Sequence, residues 1–502
     1  MIFERSVLGY IFRKLAGRQQ AQENQDAGAY QETNSKELNA SHGTDSKQTN
    51  TNQRTGAPGQ VFKAQIIARN YTLAAALLFG TQGIVALLGA IDLIIPDLPS
   101  PIPFEYGRSI HLGLAVLWPL IGTMGMVYYF VTEDLDREIF SPRLAKWQFW
   151  LVLAASLSIY ASLTFRLGRG REYLEGLPLS YAGISLALGL FSYNLMRTLI
   201  KHKQRITPAA MIMTAGSVLL LMFLIPNILS VTNPIADEAT KFWVVHAWEE
   251  MAFELTTSGF LASYLKNTGL AAKKDIEKWL YLEAALTVAA GLFGTGHHYY
   301  WIGFPAYWLL VGFLFSFLQL IPVALLVLMV YKGLKKRPQL GNRQKLTLAL
   351  ILSSMLYHVT GASLLGFIIT VPWINLYMHG TYITSGHAHL ALFGSLGFLV
   401  LGGSYYILSR GTQPDRKTYR RGIMAVLALN VGLLTMSTAL IIAGFLQAYR
   451  ARYLGMNFME VNLQLNLYLS ARAAGGAIFT SGDLLLTWQI LKAWRKSKNA
   501  VS

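Results

Sequence analysis

Cysteine is absent from the 502 residues. That absence excludes disulfides, thiolate metal sites and the Cys-x-x-Cys-His attachment of a c-type haem, so any metal falls to His, Glu, Asp, Tyr or Met. Charge is scarce as well: 14% of residues are charged against 53% hydrophobic, too apolar for a soluble protein of two or three domains. Alternation of apolar and polar residues over stretches of about ten, the mark of a membrane β-barrel, is also missing. What is there is a succession of apolar runs of about twenty residues or more, such as Leu346 to Val371 and Gly422 to Leu446, each able to cross a bilayer core of roughly 30 Å. The chain reads as an all-α, polytopic membrane protein.

Twelve spans are expected, at 70–95, 108–132, 145–166, 177–199, 207–231, 239–265, 277–302, 304–331, 346–371, 376–409, 420–446 and 466–493. The net charge of +17 does not point to nucleic acid, because the basic residues follow the even-numbered spans: Arg137, Arg143 and Lys146, then Lys201, Lys203 and Arg205, then Lys266, Lys273, Lys274 and Lys278, with one exception, Arg166, Arg169 and Arg171 after the third span. The positive-inside rule then puts both termini in the cytoplasm and makes membrane lipid the surrounding partner. Residues 1–17 read as an interfacial amphipathic helix, 18–60 as a polar, disordered cytoplasmic tail, 61–494 as the twelve-helix domain and 495–502 as a basic cytoplasmic tail.

Ionisable side chains inside a membrane span are costly and mark function by default. In the sixth span His246, Glu250 and Glu254 stand four residues apart, a spacing that stacks them on one helix face. A His and a Glu at that spacing can simply hydrogen-bond to each other. The seventh span ends in Gly296-His297-His298-Tyr299-Tyr300-Trp301. Adjacent histidines diverge by about 100° on a helix, yet both reach one metal that sits beside a helix end. With His246 and Glu250 they make three imidazoles and a carboxylate, a donor set that suits iron. In the tenth span, Gly386-His387-Ala388-His389 points two imidazoles about 200° apart, toward opposite flanks. His111 in the second span reads equally as a ligand or a packed residue. His42 and His202 read as solvated, and His358 as a hydrogen-bonded core residue. The buried acids and imidazoles carry no basic counterion in this reading, which favours metal over a transported ion.

In combination these motifs closely resemble the catalytic subunit of the nitric oxide reductases, a branch of the haem-copper oxidase superfamily. The resemblance runs from about Tyr71 to Leu491 and is carried by His-x-Trp-x-Glu-x-x-x-Glu at His246 to Glu254, Gly-Thr-Gly-His-His-Tyr-Tyr-Trp at Gly294 to Trp301, and His-Gly-Thr followed by Gly-His-Ala-His-Leu at His379 to Leu390. It implies a twelve-helix, subunit I-like bundle in a prokaryotic inner membrane that reduces NO to nitrous oxide. It further implies that His111 and His389 hold a low-spin haem b, that His387 is the proximal ligand of a high-spin haem b, and that His246, His297, His298 and Glu250 hold a non-haem iron. Glu254 would tune the iron or relay protons, and His379 would lie near haem propionates. The loop Arg169-Gly-Arg-Glu172-Tyr-Leu-Glu175 resembles a family segment that gives a carboxylate to calcium; Glu172 and Glu175 both stay open as donors, beside a plain salt-bridged loop.

One departure stands out: a glutamate common in the eighth span of the family is Gln319 here, which cannot carry a titrating proton. The rival readings are an oxygen-reducing oxidase of the same superfamily and a non-catalytic haem-binding electron conduit or sensor. An oxidase would place copper at the iron position and, in its common form, a tyrosine where Glu250 stands. The electron donor is expected to be a separate, small membrane-anchored subunit of cytochrome c or copper type, because the chain cannot attach a haem c and its N-terminal extension is short and polar.

Overall fold

A computed structural model describes residues 61–169, 171, 173–228, 231–336 and 339–501, with side chains through 497. The expected interfacial helix over 1–17 and polar tail over 18–60 lie outside the described residues, as does Glu172. Among the described residues there is no strand. Twelve long helical rods follow one another: α1 Lys63–Ile94, α2 Phe104–Leu135, α3 Pro142–Thr164, α4 Pro178–Lys201, α5 Pro208–Ile228, α6 over 234–267, α7 over 273–299, α8 Tyr307–Lys335, α9 Asn342–Thr370, α10 Tyr382–Leu408, α11 Arg416–Tyr453 and α12 Asn466–Val501.

Nine of these are long and apolar enough to cross a membrane. The other three are α6, α7 and α12, and they carry Glu249, Glu250 and Glu254, then Glu283, then Arg472 and Asp483. A helix satisfies its backbone internally, which is what allows irregularly polar rods to be buried in the same bundle.

Local chemistry sets the helix starts. Proline occupies the first turn of α3, α4 and α6, where its missing N–H costs nothing. Ser141 caps α3 by accepting from Leu144 N, and Asn233 caps α6 by accepting from Ile235 N and Ala236 N. The start of α1 is capped from outside, the Glu138 carboxylate accepting from Lys63 N at 2.6 Å and from Ala64 N at 3.1 Å. Close packing of α11 on α12 depends on Gly432 and Gly475: a Cβ on Gly432 would stand 2.5 Å from Phe479 N and 2.7 Å from Gly475 O.

The rods depart from the expected spans at three places. The eighth is interrupted at Gln319, between helical segments Tyr307–Leu318 and Leu320–Lys335. The tenth span, expected from 376, is split: a short helix Pro372–Met378 ends at His379, Gly380 takes φ +70°, and α10 begins at Tyr382 with Thr381 as its cap. The twelfth helix continues through the basic residues to Val501, because Ala, Lys and Arg are good helix formers. Four π segments also occur, at Trp248–Phe253, His358–Leu365, His389–Gly397 and Ala448–Tyr453, and residues of the first three line one large cavity.

Candidate functional site

That cavity, about 1050 Å³, lies inside the bundle and is lined from α1, α2, α6, α7, α8, α9, α10, α11 and α12. His111, His246, His297, His298, His358, His379, His387 and His389 all reach its wall, with Glu249, Glu250, Glu254 and Glu283. Its size is at the upper end of small-molecule pockets, roughly 300–1,000 Å³.

At one place in this wall His246, Glu250, His297 and His298 come together, one donor atom from each lying within 4.8 Å of all the others. Two irregular turns make this convergence. His246 lies in the last turn of the first α segment of α6, and Glu250 follows in the π segment, with its Oε1 3.4 Å from His246 Nδ1. His297 and His298 lie in the tight 3-10 turn Gly294–Tyr299 that closes α7. Their rings stand 4.3 Å apart, centroid to centroid, and 4.9 and 5.2 Å from the His246 ring. Phe242 stacks on His298 at 4.4 Å and 17°.

The adjacent helix α8 holds this turn. Gly312 lets α8 approach the His297 backbone: a Cβ there would collide with His297 N and stand 2.8 Å from Gly296 C. One turn on, Ser316 Oγ donates to Gly312 O at 2.8 Å and lies 3.0 Å from His297 Nδ1. With its own proton committed, the hydroxyl oxygen accepts from His297 Nδ1–H, which leaves the Nε2 lone pair for a metal. Three imidazoles and one carboxylate, converging on the wall of an internal cavity, fit a nitrogen- and oxygen-liganded transition metal.

A second constellation joins α2 and α10. The His111 and His389 rings face each other with centroids 6.0 Å apart and planes 25° from parallel. A metal bonded at ~2 Å to each of two imidazoles needs nearly this ring separation, so His111 and His389 are the pair that would hold one haem between α2 and α10. His389 Nδ1 lies 2.7 Å from Ser385 O, and His111 Nδ1 lies 3.4 Å from the Gln82 amide, whose Oε1 accepts from Trp118 Nε1 at 2.6 Å. These contacts orient both rings, and donation from His389 Nδ1–H to the Ser385 carbonyl leaves the His389 Nε2 for a group between them. His387 turns to the other flank of α10, where its Nδ1 lies 3.0 Å from Gly361 O in the π segment of α9. Its Nε2 is likewise left for a group in the cavity.

The remaining expected residues lie as follows. Glu254 does not join the metal cluster. The π segment between it and Glu250 breaks the simple four-residue stacking, and its Oε1 instead lies 3.5 Å from His358 Nε2. His358 therefore stands on the cavity wall rather than inside a packed core. His379 lines the cavity at the break before α10. Gln319 donates to Glu250 O at 3.2 Å. Glu175 is buried in its loop, which is tied to the bundle by an Arg171–Asp237 ion pair of 2.9 Å and by Arg171 donating to Asn227 Oδ1 at 3.0 Å. The expectation that no basic group accompanies the buried acids and imidazoles is corrected: Arg108, Lys241 and Arg472 line the same cavity, and Arg472 acts electrostatically on both His111 and His389. Packing of α12 against the bundle brings Arg472 in, a relation that reading span by span does not reveal. Glu283 on α7 was also missed, although a lone acid in an otherwise apolar stretch was signal enough.

Comparison with known proteins gives a consistent result. Residues 66–478 match the family described as Cytochrome C and Quinol oxidase polypeptide I. The chain is 30% identical over 448 residues to a nitric oxide reductase chain of Stutzerimonas stutzeri, covering 85% of this chain and 94% of that one. It is 22% identical over 455 residues to a cytochrome c oxidase subunit 1 homolog of Agrobacterium tumefaciens (strain T37), covering 84% and 82%. Among solved structures, a heme-copper terminal oxidase dimer matches with a TM-score of 0.72 over 87% of this chain and 84% of that one, at 14% identity, a likeness of fold.

Proposed function

We propose that this chain, which belongs to the cytochrome c and quinol oxidase polypeptide I family, is the catalytic subunit of a nitric oxide reductase. Two NO molecules, two electrons and two protons would give nitrous oxide and water, the NO-removing step of a denitrifying respiratory chain in a prokaryotic inner membrane. The observation that carries this reading is the carboxylate in the metal cluster, Glu250, 3.4 Å from His246 and within 4.8 Å of both other imidazoles. Carboxylate is a hard ligand that suits iron better than copper. The similarity to the nitric oxide reductase of Stutzerimonas stutzeri supports the same choice.

In this reading His111 and His389 would hold a low-spin haem b, His387 a high-spin haem b, and His246, His297, His298 and Glu250 a non-haem iron. When bound, these groups would supply electron transfer and the two positions at which NO is activated. The chain's own part is orientation and proton handling. Ser316 keeps His297 in the tautomer that presents Nε2, and Gly361 O does the same for His387. The bundle walls exclude bulk water and confine two small apolar substrates, so much of the rate gain is proximity. Glu254, beyond Glu250 on α6, would hand on protons, and His379 would meet propionates. In the loop before α4, Glu175 would be the calcium donor among the described residues. Electrons would come from a small membrane-anchored cytochrome c or copper subunit on the side away from the basic loops.

A haem and metal count with an NO turnover assay on the purified complex tests the proposal. Two b-type haems and one non-haem iron per chain, with N2O produced from NO, are expected. Copper in the non-haem site together with oxygen reduction and no N2O would move the chain to the oxidase reading that its 22% identical relative represents.

A further inference from the structure

We propose that Glu283 and Glu254 form a carboxyl pair that shares one proton and holds it for reduction in the cavity. This deepens the reading above and rests on it in one respect: the cavity must house a proton-consuming reaction.

Glu283 lies on α7 with 2% of its surface exposed, inside a membrane-spanning bundle, and belongs to none of the histidine motifs. Its Oε1 accepts from Ser258 Oγ at 3.1 Å, one turn beyond Glu254 on α6, and both carboxyls line the cavity close enough to act on each other. On the other side of the pair, His358 on α9 places Nε2 3.5 Å from Glu254 Oε1. Three helices thus bring two carboxyls and one imidazole together on the cavity wall, beside the segment that carries Glu250. Two carboxyls this close inside the bundle favour one shared proton, because two ionised carboxylates have no donor between them and repel each other. The titratable groups that act on the pair are His358 on α9 and, through Glu254 and His358, Glu250 on α6. From α8 comes Gln319, whose amide donates to Glu250 O and has no proton to give.

The reaction needs such a store. As two NO join, an N–N bond forms, one N–O bond breaks, two electrons arrive from the one-electron donor subunit, and the released oxygen leaves as water with two protons. The Glu254–Glu283 pair supplies one of those protons through Glu254 and refills from solvent. Glu283 acts through Glu254, so its role is to hold and position the proton.

Infrared difference spectroscopy of the purified complex, reduced minus oxidised, tests this alongside turnover and its pH profile. The wild type is expected to show a protonated-carboxyl C=O band that E283Q abolishes and S258A shifts, since Ser258 donates to that carboxyl. E283Q is expected to lower NO turnover roughly 10²-fold, the usual weight of a positioned proton donor, with haem spectra and metal content unchanged. E283D, which keeps the acid, should restore much of the rate and a shifted pH optimum. Wild-type turnover in E283Q across pH, or loss of the band with no loss of rate, overturns the proposal. If E283Q does not assemble with its haems, E283D and S258A carry the test, and a band unmoved in both overturns it. Should the wild type reduce oxygen and not NO, the functional reading fails while the pair is still judged by the same band and by oxygen turnover.

Discussion

At the scale of single residues, the site depends on which nitrogen or oxygen each side chain presents. Glu250→Gln replaces a carboxylate by an amide, a far poorer iron ligand, beside a His246 that keeps its place. The expected outcome is loss or weakening of the non-haem iron and abolition of NO reduction with both haem spectra intact; metal analysis and turnover check it. Ser316→Ala is subtler. It removes the acceptor 3.0 Å from His297 Nδ1, and with it the preference for the tautomer that offers Nε2. Outer-shell partners of this kind are worth about 10–100-fold in metal affinity, so dialysis against a chelator should strip iron from S316A at a correspondingly lower concentration. For the facing rings 6.0 Å apart, His389→Ala and His111→Ala should each remove the low-spin haem and spare the high-spin one, since His387 is oriented separately by Gly361 O. An optical spectrum with both haems intact in either variant would refute the pairing. These histidines were legible in the sequence because few alternatives exist for an imidazole in hydrocarbon. Glu283 and Arg472 were overlooked because neither belongs to a histidine motif, and only packing shows what each meets.

At the scale of elements, the helices were readable and their irregularities were not. Runs of apolar residues identify a rod, but a π segment inserts one extra residue into a turn without a signature in composition. That extra residue is why Glu254 leaves the His246–Glu250 face and meets His358 instead. The tight turn Gly294–Tyr299 was likewise invisible as such, although the adjacent histidines implied a helix end. Contacts between rods depend on glycine in a way that can be tested. Gly312→Ala would push α8 away from the His297 backbone and the neighbouring Gly296, a forced overpacking of the kind that costs about 1–3 kcal/mol. The expected result is a lower thermal midpoint for haem release and partial loss of the non-haem metal, while the haem proposed to lie between His111 and His389 on α2 and α10 keeps its spectrum. Equal loss of both haem signals would mean that α8 supports the whole bundle rather than this turn.

At the scale of the whole molecule, two facts bear on how electrons arrive. The 502 residues contain no cysteine, so the chain holds no covalent haem c and no thiolate copper centre of its own. The paired imidazoles also lie near one end of the bundle: His111 is seven residues into α2, His389 seven residues into α10, and Arg472 six residues into α12. These three helices begin at the same end, opposite the loops rich in lysine and arginine. In the proposed orientation, with the loops rich in lysine and arginine toward the cytoplasm, that end would face away from the cytoplasm, and a donor would reach it from outside the membrane or from within it. A separate subunit anchored by one helix, carrying a haem c or a copper centre, is therefore expected to accompany the chain through gentle purification. Such a complex should transfer electrons to the His111–His389 site faster than the isolated chain does with any soluble reductant. Stopped-flow reduction of the low-spin haem measures this directly. If the isolated chain, free of any companion, reduced NO with quinol as fast as the intact membrane does, the two-subunit arrangement would be wrong, and the electrons would enter from the lipid face instead.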